Sequence, residues 1–262
     1  MNLFQSLLEH AYYQTPFTIP RQCIEEAIIR FFEFLTLPDG VKNNIDFQLR
    51  EGHRRGDVGY KKRIASDDDY RDDKEFFHFH PDIFRRYKNF IDEHPIVSNF
   101  LNVAYDIWLE AEVTVKLLLR QLEDQFPGCI ETIFPDGKSE TLLRFLKYDW
   151  QVCGQYLAKP HYDAAAVSLA IAEDKPGLRI GKNQSSLQLI QHQEDKAVFF
   201  ISSNYKRVFG EQCLFNPAWH DVIQIDKTKI GAPYSRWAIV AFFVPYGVAE
   251  LPRSLTHRCI KT

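Results

Sequence analysis

The stretch HYDAAAVSLAIA, residues 161–172, sets His161 and Asp163 two positions apart at the head of an apolar run. In an extended strand alternate side chains share a face. As one strand, this segment turns His161 and Asp163 to the same side, and Ala165, Val167 and Leu169 continue that face into a core. An imidazole and a carboxylate placed so are either a polar start to a buried strand or two members of a metal site. A third ligand decides between them. Of the later histidines, His192 lies in the polar IQHQEDK and His257 in the basic SLTHRC, whereas His220 in NPAWHDVIQI directly precedes an apolar run. Only His220 enters a strand as a barrel ligand would.

Two imidazoles and one carboxylate on a single face leave coordination positions open, an arrangement suited to Fe(II) with an exogenous chelator, a substrate or dioxygen. Zinc fits the same ligands, but a hydrolytic zinc centre brings a general base, and none stands out. Arg236 heads RWAIVAFFVP, sharing a face with Ala238, Val240 and Phe242. Inside a barrel its guanidinium has to meet an anion, and its fork matches a carboxylate. At a strand edge it would reach water instead. Beside the triad, the sharper reading is a dicarboxylate that both chelates the metal and reaches Arg236.

These side chains need a rigid frame, and the chain changes texture along its length. In IPRQCIEEAIIRFFEFLTLPDG, Ile24, Ala27, Ile28, Phe31, Phe32 and Leu35 recur at helical spacing before a turn. Residues 48–75 are dense in charge and read as a solvated loop, interrupted by Gly56, Gly59 and Tyr60. A long helix is predicted at about residues 93–126. From residue 140, short Val-, Ile-, Phe- and Leu-rich runs alternate with Gly, Pro, Asn and Asp. That pattern predicts many short strands closing into a jelly-roll barrel. The expected architecture is one domain over 1–262, mainly β with flanking helices: a mostly helical part to residue 135, a double-stranded β-helix core over 140–248 and a tail at 249–262.

Composition narrows the function classes. The chain has 262 residues, 45% of them hydrophobic, and a net charge of −3. No strong field draws it to nucleic acid or to an anionic membrane surface. Five scattered cysteines without a CxxC pair fit a reducing compartment. The start MNLFQSLLEH lacks a secretory pattern, so a cytoplasmic protein acting on a small molecule is expected.

Several segments, in order, resemble the isopenicillin N synthase-like branch of the 2-oxoglutarate/Fe(II)-dependent dioxygenases. RRGDVGYKKR and DDKEFFHF are similar to that family's RGY and DxKE stretch, and TLLRFLKY to its LRxxxY strand. HYDAAAVSL is similar to HxDxGxLTL, GLRI to GLxV, PAWHDV to SxxHRV and RWAIVAFFVP to RxSxxFFxxP. The resemblance implies Fe(II) held by His161, Asp163 and His220, with 2-oxoglutarate on the iron and paired with Arg236. It implies that Tyr148 also contacts the cosubstrate carboxylate, although a core tyrosine with its hydroxyl satisfied elsewhere would look the same. It further implies dioxygen as oxidant and the charged segment with Arg55 and Tyr60 as a pocket cover. Four positions depart from the pattern: Ala238 replaces a serine, Ala165 a glycine, Asp221 an arginine, and ISSN the usual Gly-Asp turn. A hydrogen bond to a charged group contributes about 1.5–3 kcal/mol, so the missing serine would weaken the cosubstrate by roughly tenfold or more. Tyr234, of the same parity as Arg236, is a candidate to compensate. An iron oxidase that uses no 2-oxoglutarate, and a non-catalytic metal-binding module, are the alternatives.

Overall fold

The computed structural model describes residues 1–45, 58–64, 73–151, 153–225 and 233–247. Eleven strands are found among them: β1 (Tyr12–Pro16), β2 (Gly59–Arg63), β3 (Lys74–Phe79), β4 (Leu142–Tyr148), β5 (Tyr156–His161), β6 (Val167–Glu173), β7 (Leu178–Gly181), β8 (Gln188–Leu189), β9 (Lys196–Ile201), β10 (Trp219–Ile223) and β11 (Arg236–Phe243). They form a large sheet ordered β1-β9-β6-β11-β4-β3-β2 and a small one ordered β5-β10-β7-β8. All their pairings are antiparallel. From β4 onward the chain passes back and forth between the two sheets, which is the winding of a double-stranded β-helix. The expected class, mainly β with flanking helices around a jelly-roll core, is the one observed.

Alternation along the strands separates two cores. On one face of the large sheet Phe77, Phe145, Leu169, Phe199 and Ile239 meet the helices. On the other face Leu146, Ala170, Val198 and Phe200 meet Leu178 and Val222 of the small sheet. The helix Arg21–Leu35 buries Ile24, Ala27, Ile28, Phe31 and Phe34. The helix Pro95–Leu122 opens on a proline, whose missing N–H costs nothing at that position, and buries residues three and four apart from Val97 to Leu122. Phe31, Phe34, Phe77, Phe100 and Phe145 interlock between helices and sheet, with ring centroids 5.1–5.6 Å apart. This packing fixes the sheet from which the site projects.

Three expectations change. The described part of the charged segment is sheet, not loop: β2 and β3 extend the large sheet at its edge. Their polar groups are absorbed by pairing, since Glu75 accepts from the Tyr60 hydroxyl at 2.7 Å and from Lys147 at 2.6 Å. The strand-only stretch 140–248 also contains a short helix, Lys206–Phe209. Most consequential, residues 158–172 are not one strand. β5 ends at His161 in the small sheet and β6 begins at Val167 in the large one, with a corner between them. Val167 and Leu169 accordingly join the helix-side core, while Ala165 packs with Leu142 and Phe242 inside the barrel. The tail 249–262 and Arg55 lie outside the described residues.

Candidate metal centre

His161 closes β5, and His220 sits opposite it in register on β10. Their rings are 4.4 Å apart between centroids. Asp163 comes from the corner, not from the strand. Its Oδ1 lies 3.6 Å from the Nε2 of each histidine. One donor atom from each of the three residues lies within 4.8 Å of the others.

The tautomers follow from the backbone. His161 Nδ1 is 2.6 Å from the carbonyl of Lys159, and His220 Nδ1 is 3.0 Å from the carbonyl of Ala218. A carbonyl only accepts, so each Nδ1 carries the proton and each Nε2 presents a lone pair toward Asp163. Asp163 keeps Oδ1 for the same point, because its Oδ2 accepts from the Ser168 hydroxyl at 2.8 Å. Ligands about 2.0–2.2 Å from a common ion stand about 3 Å apart at a right angle; the two sides that Asp163 Oδ1 makes with the imidazoles are wider, at 3.6 Å each. Two neutral imidazoles and a carboxylate, each oriented by a second hydrogen bond, fit a divalent transition metal with free positions. His161 lies at the mouth with its side chain 39% exposed, while Asp163 and His220 lie deeper.

Charge coupling is strong. Burial by itself raises Asp163, but the neighbouring His220 and His161 imidazoles outweigh it and hold the carboxyl well below its ordinary range. Burial lowers His220, and the Asp163 carboxylate reverses the sign, leaving His220 above its ordinary value.

The corner is clamped by the segment ISSN, one of the four departures from the family pattern. Ser203 donates to the Asp163 carbonyl from its N–H and its hydroxyl, both at 2.8 Å. Asn204 binds the Ala164 carbonyl through its side chain at 2.6 Å and the Ala165 carbonyl through its N–H at 2.9 Å. Ser202 exchanges a 2.9 Å hydrogen bond with Ser168. Asp221, beside His220, is fully buried in a two-pronged pair with Arg179 at 2.6 and 2.7 Å. That pair ties β10 to β7 behind the ligand.

Arg236 faces the barrel interior and is 3% exposed, so it does not reach to water. Its anion lies within the chain: Arg236 Nη2 pairs with Glu173, and Nε donates to the Lys175 carbonyl at 3.0 Å. Tyr148, opposite Arg236 in register, has its ring centroid 5.7 Å from the guanidinium carbon. Ala238 follows on the same face. The ring of Tyr234 packs 4.7 Å from Phe32, against the helix-side core. Tyr60 likewise lies in the helix-side core and not over the barrel mouth. His192 is engaged elsewhere, with Nε2 2.6 Å from the Lys196 carbonyl. On the interior face, Arg144 donates to His78 at 2.6 Å with its guanidinium between Phe76 and Phe242. No periodicity in the sequence singles that pair out.

No sequence profile of a known family and no curated protein sequence matches the chain. Solved structures do match in fold. A Neurospora crassa protein, in complex with α-ketoglutarate and 5-formyluracil, aligns at TM-score 0.68 and 15% identity over 93% of this chain and 77% of that one. JOX2, in complex with 2-oxoglutarate, iron and JA, aligns at TM-score 0.70 and 14% identity over 93% and 70%. A protein of Caulobacter crescentus assigned to the 2OG-Fe(II) oxygenase family aligns at TM-score 0.67 and 17% identity over 93% and 80%. The fold of this chain is therefore the fold of those proteins.

Proposed function

We propose that this protein is an Fe(II)- and 2-oxoglutarate-dependent oxygenase that oxidises a small organic molecule, with hydroxylation as the default outcome. The observation that carries the proposal is the convergence of His161 Nε2, His220 Nε2 and Asp163 Oδ1, with the remaining polar atoms of all three tied back to the protein. In this reading these residues are the iron ligands, and Arg236 and Tyr148 form the cosubstrate end of the site. The ordered motifs favour the isopenicillin N synthase-like branch. The small molecules held by the Neurospora crassa protein and by JOX2 are consistent with a small-molecule substrate.

Fe(II), when bound, supplies open coordination positions where a 2-oxo acid and dioxygen meet, so that decarboxylation to succinate is coupled to oxidation of the substrate. The chain supplies the rest. Ser168 keeps the Asp163 carboxylate turned to the ion. The backbone carbonyls of Lys159 and Ala218 hold the imidazoles in one tautomer. The apolar interior formed by Leu146, Val198, Phe200 and Val222 keeps water from the reacting centre. The helical part and the jelly roll act as one domain, 1–262, and the four described cysteines, all free thiols, suit the cytoplasm. No helix among the described residues is long and apolar enough to cross a membrane.

One observation favours a second reading, an iron oxidase that draws all its electrons from its own substrate: Glu173 occupies Arg236, and Ala238 offers no hydroxyl. Anaerobic addition of 2-oxoglutarate to the Fe(II)-loaded protein separates the two. A visible charge-transfer band, followed by succinate release on admitting air, supports the oxygenase. Iron binding without a band supports the oxidase, and iron binding with no oxygen consumption in a metabolite screen leaves only a non-catalytic module.

A further inference from the structure

Glu173 reaches the barrel interior through one irregularity in β6. Ala170 pairs with Val240, but Ala172 pairs with Ile239 and Glu173 with Ala238, so Ile171 is an extra residue without a partner. This bulge reverses the alternation that would carry Glu173 outward. It places the carboxylate on the face of Ala238 and Arg236. We infer that Glu173 sets cosubstrate selectivity, by occupying with its own carboxylate the guanidinium that the distal carboxylate of 2-oxoglutarate would take. The inference deepens the oxygenase reading and rests on Arg236 being the cosubstrate anchor.

The pairing is built into the fold. The two side chains are 4% and 5% exposed. Arg236 Nε is anchored on the Lys175 carbonyl. Gly177 lies beside the guanidinium: a Cβ there would be in ordinary contact with Arg236 Nε at 3.5 Å, and it is the Ile223 carbonyl oxygen, 2.9 Å away, that excludes one. A dicarboxylate therefore meets a cation already neutralised. To pair with Arg236 it has to release Glu173 into a buried position without its partner, which is unfavourable. A 2-oxo acid with no distal charge makes no such demand.

Affinities of the Fe(II)-loaded protein for 2-oxoglutarate and for 2-oxobutyrate, which has the same chelating head and no distal carboxylate, test this anaerobically by calorimetry and by the charge-transfer band. The wild type is expected to bind the two acids with similar affinity. Glu173→Gln is expected to bind 2-oxoglutarate about tenfold tighter or better, because a charged competitor becomes a neutral one, with 2-oxobutyrate unchanged. Glu173→Asp, which keeps the charge and guards against a folding defect, is expected to show a smaller gain in the same direction. A wild type that prefers 2-oxoglutarate, with neither variant tightening it, overturns the inference and leaves the oxygenase reading intact. Iron binding with neither acid bound by any of the proteins overturns the anchor role of Arg236, and the inference with it.

Discussion

Ser168→Ala isolates the support of the metal centre from its ligands. Ser168 is fully buried; its hydroxyl donates to Asp163 Oδ2 at 2.8 Å and meets Ser202 at 2.9 Å. Removing it deletes a hydrogen bond to a carboxylate, a contribution of about 1.5–3 kcal/mol, and frees the carboxylate to rotate. At about 1.4 kcal/mol per tenfold change, divalent-metal affinity should fall by about 10- to 100-fold, the size usual for loss of such an outer partner. Competition with a fluorescent chelator under anaerobic Fe(II), with far-UV circular dichroism as the folding control, measures it. Ser202→Ala removes only the neutral end of the chain, at about 0.5–1.5 kcal/mol, and should weaken the metal by less. Ser168→Ala binding metal within a factor of about two of wild type, when a lost outer partner should cost at least tenfold, would refute the view that this hydroxyl orients Asp163.

Three further outcomes are expected. Metal affinity should fall with pH by about tenfold per unit once His220 is protonated, because binding then expels a proton; Asp163 raises the His220 pKa, so the decline starts above the pH at which a free histidine titrates, and a flat profile from about pH 8 to pH 6 in chelator competition would contradict it. Asp221→Asn leaves Arg179 without its anion and should destabilise the fold by about 2–4 kcal/mol in urea unfolding, below the top of the range for sealed pairs because the Arg179 side chain stays 29% exposed. His192→Ala should leave metal affinity unchanged, since its Nε2 is spent on the Lys196 carbonyl, and a loss comparable to that of a ligand variant would move the centre away from His220.

The strands were legible because apolar alternation between turn residues is a local signal, and the long helix because Val97 to Leu122 repeat on one stripe. The three candidate ligands were legible for a different reason: imidazole and carboxylate at strand heads are costly where nothing binds them. What stayed hidden depends on pairing across the fold. Lys74 and Glu75 read as the end of a solvated charged loop, yet β3 is buried throughout because Glu75 finds Tyr60 and Lys147. The corner at 162–166 was invisible because Ala164, Ala165 and Ala166 carry no turn chemistry; the bend is imposed from outside by Ser203 and Asn204. Glu173 was missed because strict alternation does not anticipate a bulge at Ile171.

A crystal structure of the protein soaked anaerobically in Fe(II), with anomalous scattering recorded at the iron edge, addresses the centre most directly. The expected result is one iron about 2.0–2.3 Å from His161 Nε2, His220 Nε2 and Asp163 Oδ1, with the other positions held by water. An iron bound elsewhere, or a His220 imidazole turned from the shared point while iron is present, would contradict the account.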